Sequence, residues 1–180
     1  VDSENLIENA IIRFGGYFDN GNNSFYNCYA CKYYGAVRFD SASPSVRNST
    51  ISQNQSYALS ASIDSFPVIS GNTLTLNQGN GLEIRGGTFS SPSPIVRRWN
   101  NTDVVYAVTE RTTIASGVTL AIDPGVKVKF AVNKMMGVYG VLKILGTSTN
   151  QVIITSLKDD TAGGDTNGDG NATAPDAGDW

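Results

Sequence analysis

Hydrophobic positions in this chain come in short β-branched runs, broken every few residues by Asn, Gly or Ser. The stretch Val46 to Leu59 lies over Ile69 to Leu82 without a gap, at an offset of 23 residues. Val46 falls on Ile69, Thr50 on Thr73, Ile51 on Leu74, Asn54 on Asn77 and Leu59 on Leu82. A shorter copy, Ile7 to Ile12, falls on Val46 to Ile51 at an offset of 39, so the first copy carries an insertion. Repeats of this length, built from apolar runs and turn residues, predict a solenoid in which each repeat is one coil of chain.

Alignment on Val37, Leu59 and Leu82 predicts which side chains meet between coils. Ala36–Phe39, Ala58–Ala61 and Gly81–Ile84 alternate with period two. Val37, Leu59 and Leu82 are therefore expected as one inward stack and Phe39, Ala61 and Ile84 as another. The residues between them (Arg38, Ser60 and Glu83, then Asp40, Ser62 and Arg85) are expected to face water. Asn54 and Asn77 fall at equivalent positions, where amides can stack as a ladder along the axis. Further on, Thr112–Ile114, Val118–Ile122, Val126–Phe130, Gly140–Leu145 and Val152–Thr155 read as short strands. Asp123-Pro124-Gly125 reads as a type II turn, with Pro fixing one φ and Gly supplying a positive one.

Residues 15–35 form the insertion of the first copy, and Tyr17, Phe18, Phe25, Tyr26, Tyr29, Tyr33 and Tyr34 crowd there with Cys28 and Cys31. Two readings stand: a loop with its own aromatic core closed by a Cys28–Cys31 disulfide, or a contact surface for another subunit or a glycan. A redox Cys-x-x-Cys would need a strand leading into a helix N-terminus, which this segment does not provide. Residues 88–102, with Pro92 and Pro94, read as a linker or crossing segment.

Composition narrows the function. A net charge of −3 with 16% charged residues supplies no basic field for nucleic acid or anionic lipid. The most apolar stretch, Met135 to Leu145, contains Lys143 and is too short to span a bilayer. The chain opens Val1-Asp2-Ser3 without Met or signal sequence and is read as a mature or excised fragment. With two Cys and no His, a zinc site would lack half its usual ligands. Asp is concentrated in residues 159–180, at positions 159, 160, 165, 169, 176 and 179, with no Lys or Arg among them. Such a segment calls for a cation.

"SGVTLAIDPGVKVKF", "GVLKILGTSTNQVIITS" and the closing Gly178-Asp179-Trp180 resemble the opening coils of bacterial right-handed parallel β-helix repeat proteins. "LIENAIIRFGG" and the Asn-rich 23-residue copies resemble their later coils. The resemblance implies an all-β fold, a right-handed parallel β-helix with short coils, one aromatic and Cys insertion and one calcium-loop insertion. It also implies a reversed order: residues 1–87 as the later coils of one β-helix, and 103–180 as the opening coils of the next unit. Open ends of this kind pair with any complementary coil, and a head-to-tail contact that does not close gives a fibre.

Asp165 to Asp176 fits a twelve-residue calcium loop, with Asp165, Asn167 and Asp169 at positions 1, 3 and 5, Gly170 at the sharp turn, the Asn171 carbonyl at 7 and Asp176 at 12. Asp159 or Asp160 is a candidate additional ligand. The loop resembles EF-hand-like, dockerin-type repeats, although position 12 is Asp and no flanking helix is predicted. Calcium is the expected cofactor, in a structural role.

The main rival is a polysaccharide lyase or hydrolase, or a carbohydrate-binding domain, since many right-handed β-helices act on polysaccharides. Catalysis there needs paired carboxylates or a basic residue beside calcium. Glu8, Asp40, Asp64 and Glu83 do not gather on one predicted face. The sequence therefore points to a non-enzymatic repeat of a secreted or cell-surface bacterial protein, with copies of itself as partners and adhesion compatible with that role.

Overall fold

Each coil contains three short strands because a Gly, Asn or other left-handed residue turns the chain after every few extended ones. The structure, a computed structural model, describes residues 5–18, 33–90 and 95–180. The first coil holds β1 (Leu6–Glu8) and β2 (Ile11–Arg13), then the antiparallel pair β3 (Tyr17–Phe18) and β4 (Tyr33–Tyr34) of the insertion, then β5 (Val37–Phe39). The second holds β6 (Ser45–Arg47), β7 (Thr50–Ser52) and β8 (Tyr57–Ala61); the third holds β9 (Val68–Ser70), β10 (Thr73–Thr75) and β11 (Gly79–Ile84). The fourth holds β12 (Gly87–Phe89), β13 (Ile95–Trp99) and β14 (Tyr106–Val108), and the fifth β15 (Thr112–Ile114), β16 (Val118–Ile122) and β17 (Lys127–Phe130). The sixth holds β18 (Met136–Val138), β19 (Val141–Ile144) and β20 (Ile153–Ser156).

Stacking is parallel throughout the coils. One six-stranded sheet, β5-β8-β11-β14-β17-β20, runs through all of them in chain order. The predicted stacks are present: Val37 pairs with Leu59 and Leu59 with Leu82, while Phe39 pairs with Ala61 and Ala61 with Ile84. The short copy also lies in the predicted register, Ile7 on Val46 and Ile12 on Ile51. Val46, Ile51, Leu59 and Leu82 are fully buried, each worth about 1.5–3 kcal/mol of transfer free energy.

The corners explain the Asn and Gly content. Asn9, Asn48 and Gly71 occupy equivalent bends with φ of 53°, 53° and 64°, a region that L-residues other than Gly and Asn seldom enter. A side chain at Gly71 would also strike Asn48 Oδ1 at 2.7 Å. At the next corner Phe14, Gln53 and Leu76 hold φ of 60°, 58° and 55°. These bulky residues carry local strain, and the asparagine ladder lies directly after them. Gly15 N–H donates to Asn54 Oδ1 at 2.7 Å, and Asn54 Nδ2 donates to Asn77 Oδ1 at 2.7 Å.

Within residues 88–102, expected as a linker or crossing, Ile95–Trp99 belong to the fourth coil: β13 pairs along its whole length with β16. The discontinuity is in the sheets. β9 and β10 are edge strands, β12 and β13 begin new sheets, and among the described strands only the long sheet continues from the third coil to the fourth. Side chains close part of the gap. Asn101 Oδ1 accepts from Ile69 N–H at 2.8 Å while its Nδ2 donates to the Pro67 carbonyl at 3.0 Å, so the amide imitates a peptide of the missing strand. Asp103 accepts from Gly71 N–H at 2.9 Å.

Candidate metal site

On the outer face of the long sheet, Ser60, Glu83, Ala107 and Lys129 occupy one column. All four are buried, Lys129 completely. The expectation that Ser60 and Glu83 face water is overturned, whereas Arg38 and Asp40 remain exposed. Over Lys129 and beside Glu83 the cause is the segment after β20, which folds back across this face, whereas Ser60 lies under Gly35, where a side chain would meet its Cβ at 2.5 Å. Lys129 Nζ donates to the Gly164 carbonyl at 2.8 Å and to Thr166 Oγ1 at 2.9 Å, and Thr166 is itself fully buried. Burial pulls the Lys129 ammonium below its ordinary range, and nearby Asp160, Asp159 and Asp165 partly restore it.

Glu83 lies in a groove with Ser56, Arg85, Thr109, Leu157 and Asn167. Ser60 Oγ donates to its Oε2 at 2.5 Å and Thr109 Oγ1 to its Oε1 at 3.0 Å. Burial raises its pKa above 4.5, against the two hydroxyls that lower it. A raised folded value means that this group's stabilisation is complete below about pH 4.5 and is lost as pH climbs through the folded value. Melting temperatures from pH 4 to 8 are therefore expected to fall with rising pH in part through Glu83. Glu83→Gln should show a shallower fall, with a residual slope from Asp160, whose pKa burial and Asp165 also raise. Equal slopes for the two proteins would overturn this assignment.

The returning segment carries the predicted calcium loop. Asp165 accepts from the N–H groups of Asp169 and Gly170 at 3.1 and 3.0 Å, closing positions 1, 5 and 6 into a tight turn. Asn167 Nδ2 donates to Asp169 Oδ2 at 2.8 Å, and Thr173 Oγ1 donates to the same oxygen. Carboxylate oxygens of Asp160, Asp165 and Asp169 lie within 4.8 Å of one another. Asp160 Oδ1, Asn167 Oδ1 and Asp169 Oδ1 are each buried without a hydrogen-bond partner among the described residues. Hard, unpaired oxygens on neighbouring residues are the donor set a divalent cation such as calcium takes.

The structure brings Asp165, Asn167 and Asp169 together, while Asp176 is not in the acidic trio. Asn171 is exposed, and the Asp176 N–H donates to Asp179 Oδ2 at 3.1 Å while its Oδ1 accepts from Ala177 N–H at 2.8 Å. Asp160 is the third carboxylate of the trio. Asp159 is committed to Thr155 and Thr161. Sequence spacing alone favoured Asp176, because the reversal of chain after β20 that returns Asp160 to the loop leaves no periodic signal. Cys28 and Cys31 lie outside the described residues.

Asp179 is anchored separately. Ser156 Oγ and Lys158 Nζ each donate to it at 2.7 Å, and with them its carboxyl falls to about 2, Lys158 being the largest cause. It positions Trp180, whose ring stacks on Phe130 at 4.6 Å.

The family description "right handed beta helix region" matches residues 2–98. No curated protein matches the chain, and no solved structure does. A family match over more than half of the sequence, on a chain that winds through parallel coils stacked in register, leads to one conclusion: the protein belongs to the right-handed β-helix family.

Proposed function

We propose that this chain is a structural β-solenoid repeat of a secreted bacterial surface protein, held by calcium and stacked head to tail with copies of itself into a filament or stalk. The carrying observation is the pair of open coil ends. At one end β1, β2 and β5 are edge strands, with Ile7, Ile12 and Val37 only partly covered. At the other, β18, β19 and β20 are edges over Met136, Leu142 and Ile154, ringed by the exposed Met135, Val141, Ile144 and Trp180. Among the described strands both faces present parallel edges around an apolar centre, so each can receive a further coil.

Calcium enters as a stabiliser. Asp160, Asp165, Asn167 and Asp169 would hold it, and its charge would relieve repulsion among the three carboxylates. Both carboxylate oxygens of Glu83 accept from hydroxyls of the neighbouring coils, contacts that a structural role in the groove accounts for.

Electron microscopy of the native material with calcium and with EGTA tests this reading. Fibres with an axial repeat of one unit that loosen in EGTA are the expected result; isolated particles indifferent to EGTA would sink it. In parallel, calcium at a hundredfold excess over Kd should raise the melting temperature by roughly 5–10 °C. Asp169→Ala should abolish that shift.

A further inference from the structure

We propose that residues 163–168 form a clasp that holds the two halves of the solenoid together across the sheet discontinuity, and that cation binding tightens it. The tightening rests on the calcium reading above; the clasp itself does not.

The discontinuity lies between the third and fourth coils, where among the described strands only the long sheet carries a ladder across. Side-chain bridges from Asn101 and Asp103 supplement it at β9. Among the described residues β13 pairs with β16 and not with β10. The returning segment fastens to both sides of this gap. On the third coil, Asn80 N–H donates to the Thr166 carbonyl at 2.9 Å and Asn80 Nδ2 to the Asp165 carbonyl at 3.2 Å. A side chain at Gly81 would meet Thr166 Cγ2 at 3.0 Å, and one at Gly168 would meet the Asn77 and Gln78 carbonyls at 2.7 Å, so the fit is close. On the fifth coil, the Lys129 ammonium holds Gly164 and Thr166.

Thr166 is thus gripped from both halves, by its carbonyl from one and its hydroxyl from the other. Asp165, the loop's first ligand, sits between the Gly164 and Thr166 contacts, with its own carbonyl bound to Asn80. Ordering Asp165 around a cation would order both grips. The clasp ties coils far apart in sequence, and units joined by few contacts are the ones that open separately.

The test uses hydrogen exchange and denaturant unfolding of the full chain, in calcium and in EGTA, for the unaltered protein, Lys129→Met, the milder Thr166→Val, and Asp169→Asn. In the unaltered protein, amides of residues 79–84 and 127–130 should open together in one transition. Lys129→Met removes the ammonium while keeping an unbranched stem; it should raise exchange of residues 163–168 at least tenfold and split unfolding into two transitions in either buffer. Thr166→Val should do the same to a smaller degree, and it keeps the test alive if Lys129→Met fails to fold. Asp169→Asn should make exchange in calcium equal to that in EGTA. A single transition and unchanged protection of 163–168 in a folded Lys129 or Thr166 variant would overturn the clasp. Identical behaviour of the unaltered protein in calcium and EGTA would instead overturn only the cation's part.

Discussion

Trp99→Ala is expected to destabilise the protein by about 3–5 kcal/mol, the range for removing a large buried aromatic. Trp99 is 1% exposed and is the largest fully buried side chain. Its ring stacks on Tyr106 with centroids 4.8 Å apart and planes 16° from parallel. Tyr106 in turn accepts hydrogen bonds from Asn101, from N–H at 3.2 Å and from Nδ2 at 2.7 Å. Asn101 is the residue whose amide stands in for a strand at the edge of β9. Truncation at Trp99 therefore leaves a cavity and also unseats the side chain that closes the sheet break. Urea unfolding should show a lower midpoint, and Trp99→Phe should recover part of the loss. A cost below about 1 kcal/mol would mean that the ring does not brace Tyr106 and Asn101 against the third coil.

The legible part of the fold is the part governed by nearest-neighbour stacking. Inward residues such as Leu59 and Leu82, and the corner asparagines, repeat because each coil must fit the one beneath it, so a constant offset reveals their contacts. Ser60, Glu83 and Lys129 illustrate what this logic misses. They alternate with core residues as solvent-facing positions do, yet Gly35 packs on Ser60, Leu157 and Asn167 flank Glu83, and a segment 35 to 37 residues beyond Lys129 folds over that lysine. Nothing in their local pattern records that cover, although the ammonium of a lysine between Val128 and Phe130 is received there by Gly164 and Thr166 and held against burial by Asp160, Asp159 and Asp165. The acidic cluster divides along the same line: local turn geometry brings Asp165, Asn167 and Asp169 together, whereas the approach of Asp160 depends on how the chain reverses after β20. At residues 88–102 the prolines outweighed the apolar ends of Ile95–Trp99, and only pairing with Val118–Ile122 shows that segment to be a strand.

Asn77→Ala is expected to cost on the order of 3–5 kcal/mol, more than its small side chain would imply, because several buried groups lose their partners at once. Asn77 is 3% exposed and Asn54 4%. Asn77 Oδ1 accepts from Asn54 N–H at 3.2 Å and from Asn54 Nδ2 at 2.7 Å, while its own Nδ2 donates to the Ile51 carbonyl at 2.9 Å. All three groups lie inside the coil, where water cannot replace the amide without a cavity lined by polar atoms. The ladder also holds the corner at which Gln53 and Leu76 adopt left-handed φ, so its loss releases strain by unwinding the bend rather than by relaxing in place. Asn77→Asp separates these contributions. It preserves the acceptor for Asn54 but loses the donor to Ile51 and buries a charge, so it should be as harmful as Ala at neutral pH and milder when protonated near pH 4. If both variants instead cost less than about 1 kcal/mol in urea unfolding, the corner would be held by the flanking apolar stacks and the amide column would be incidental to the fold.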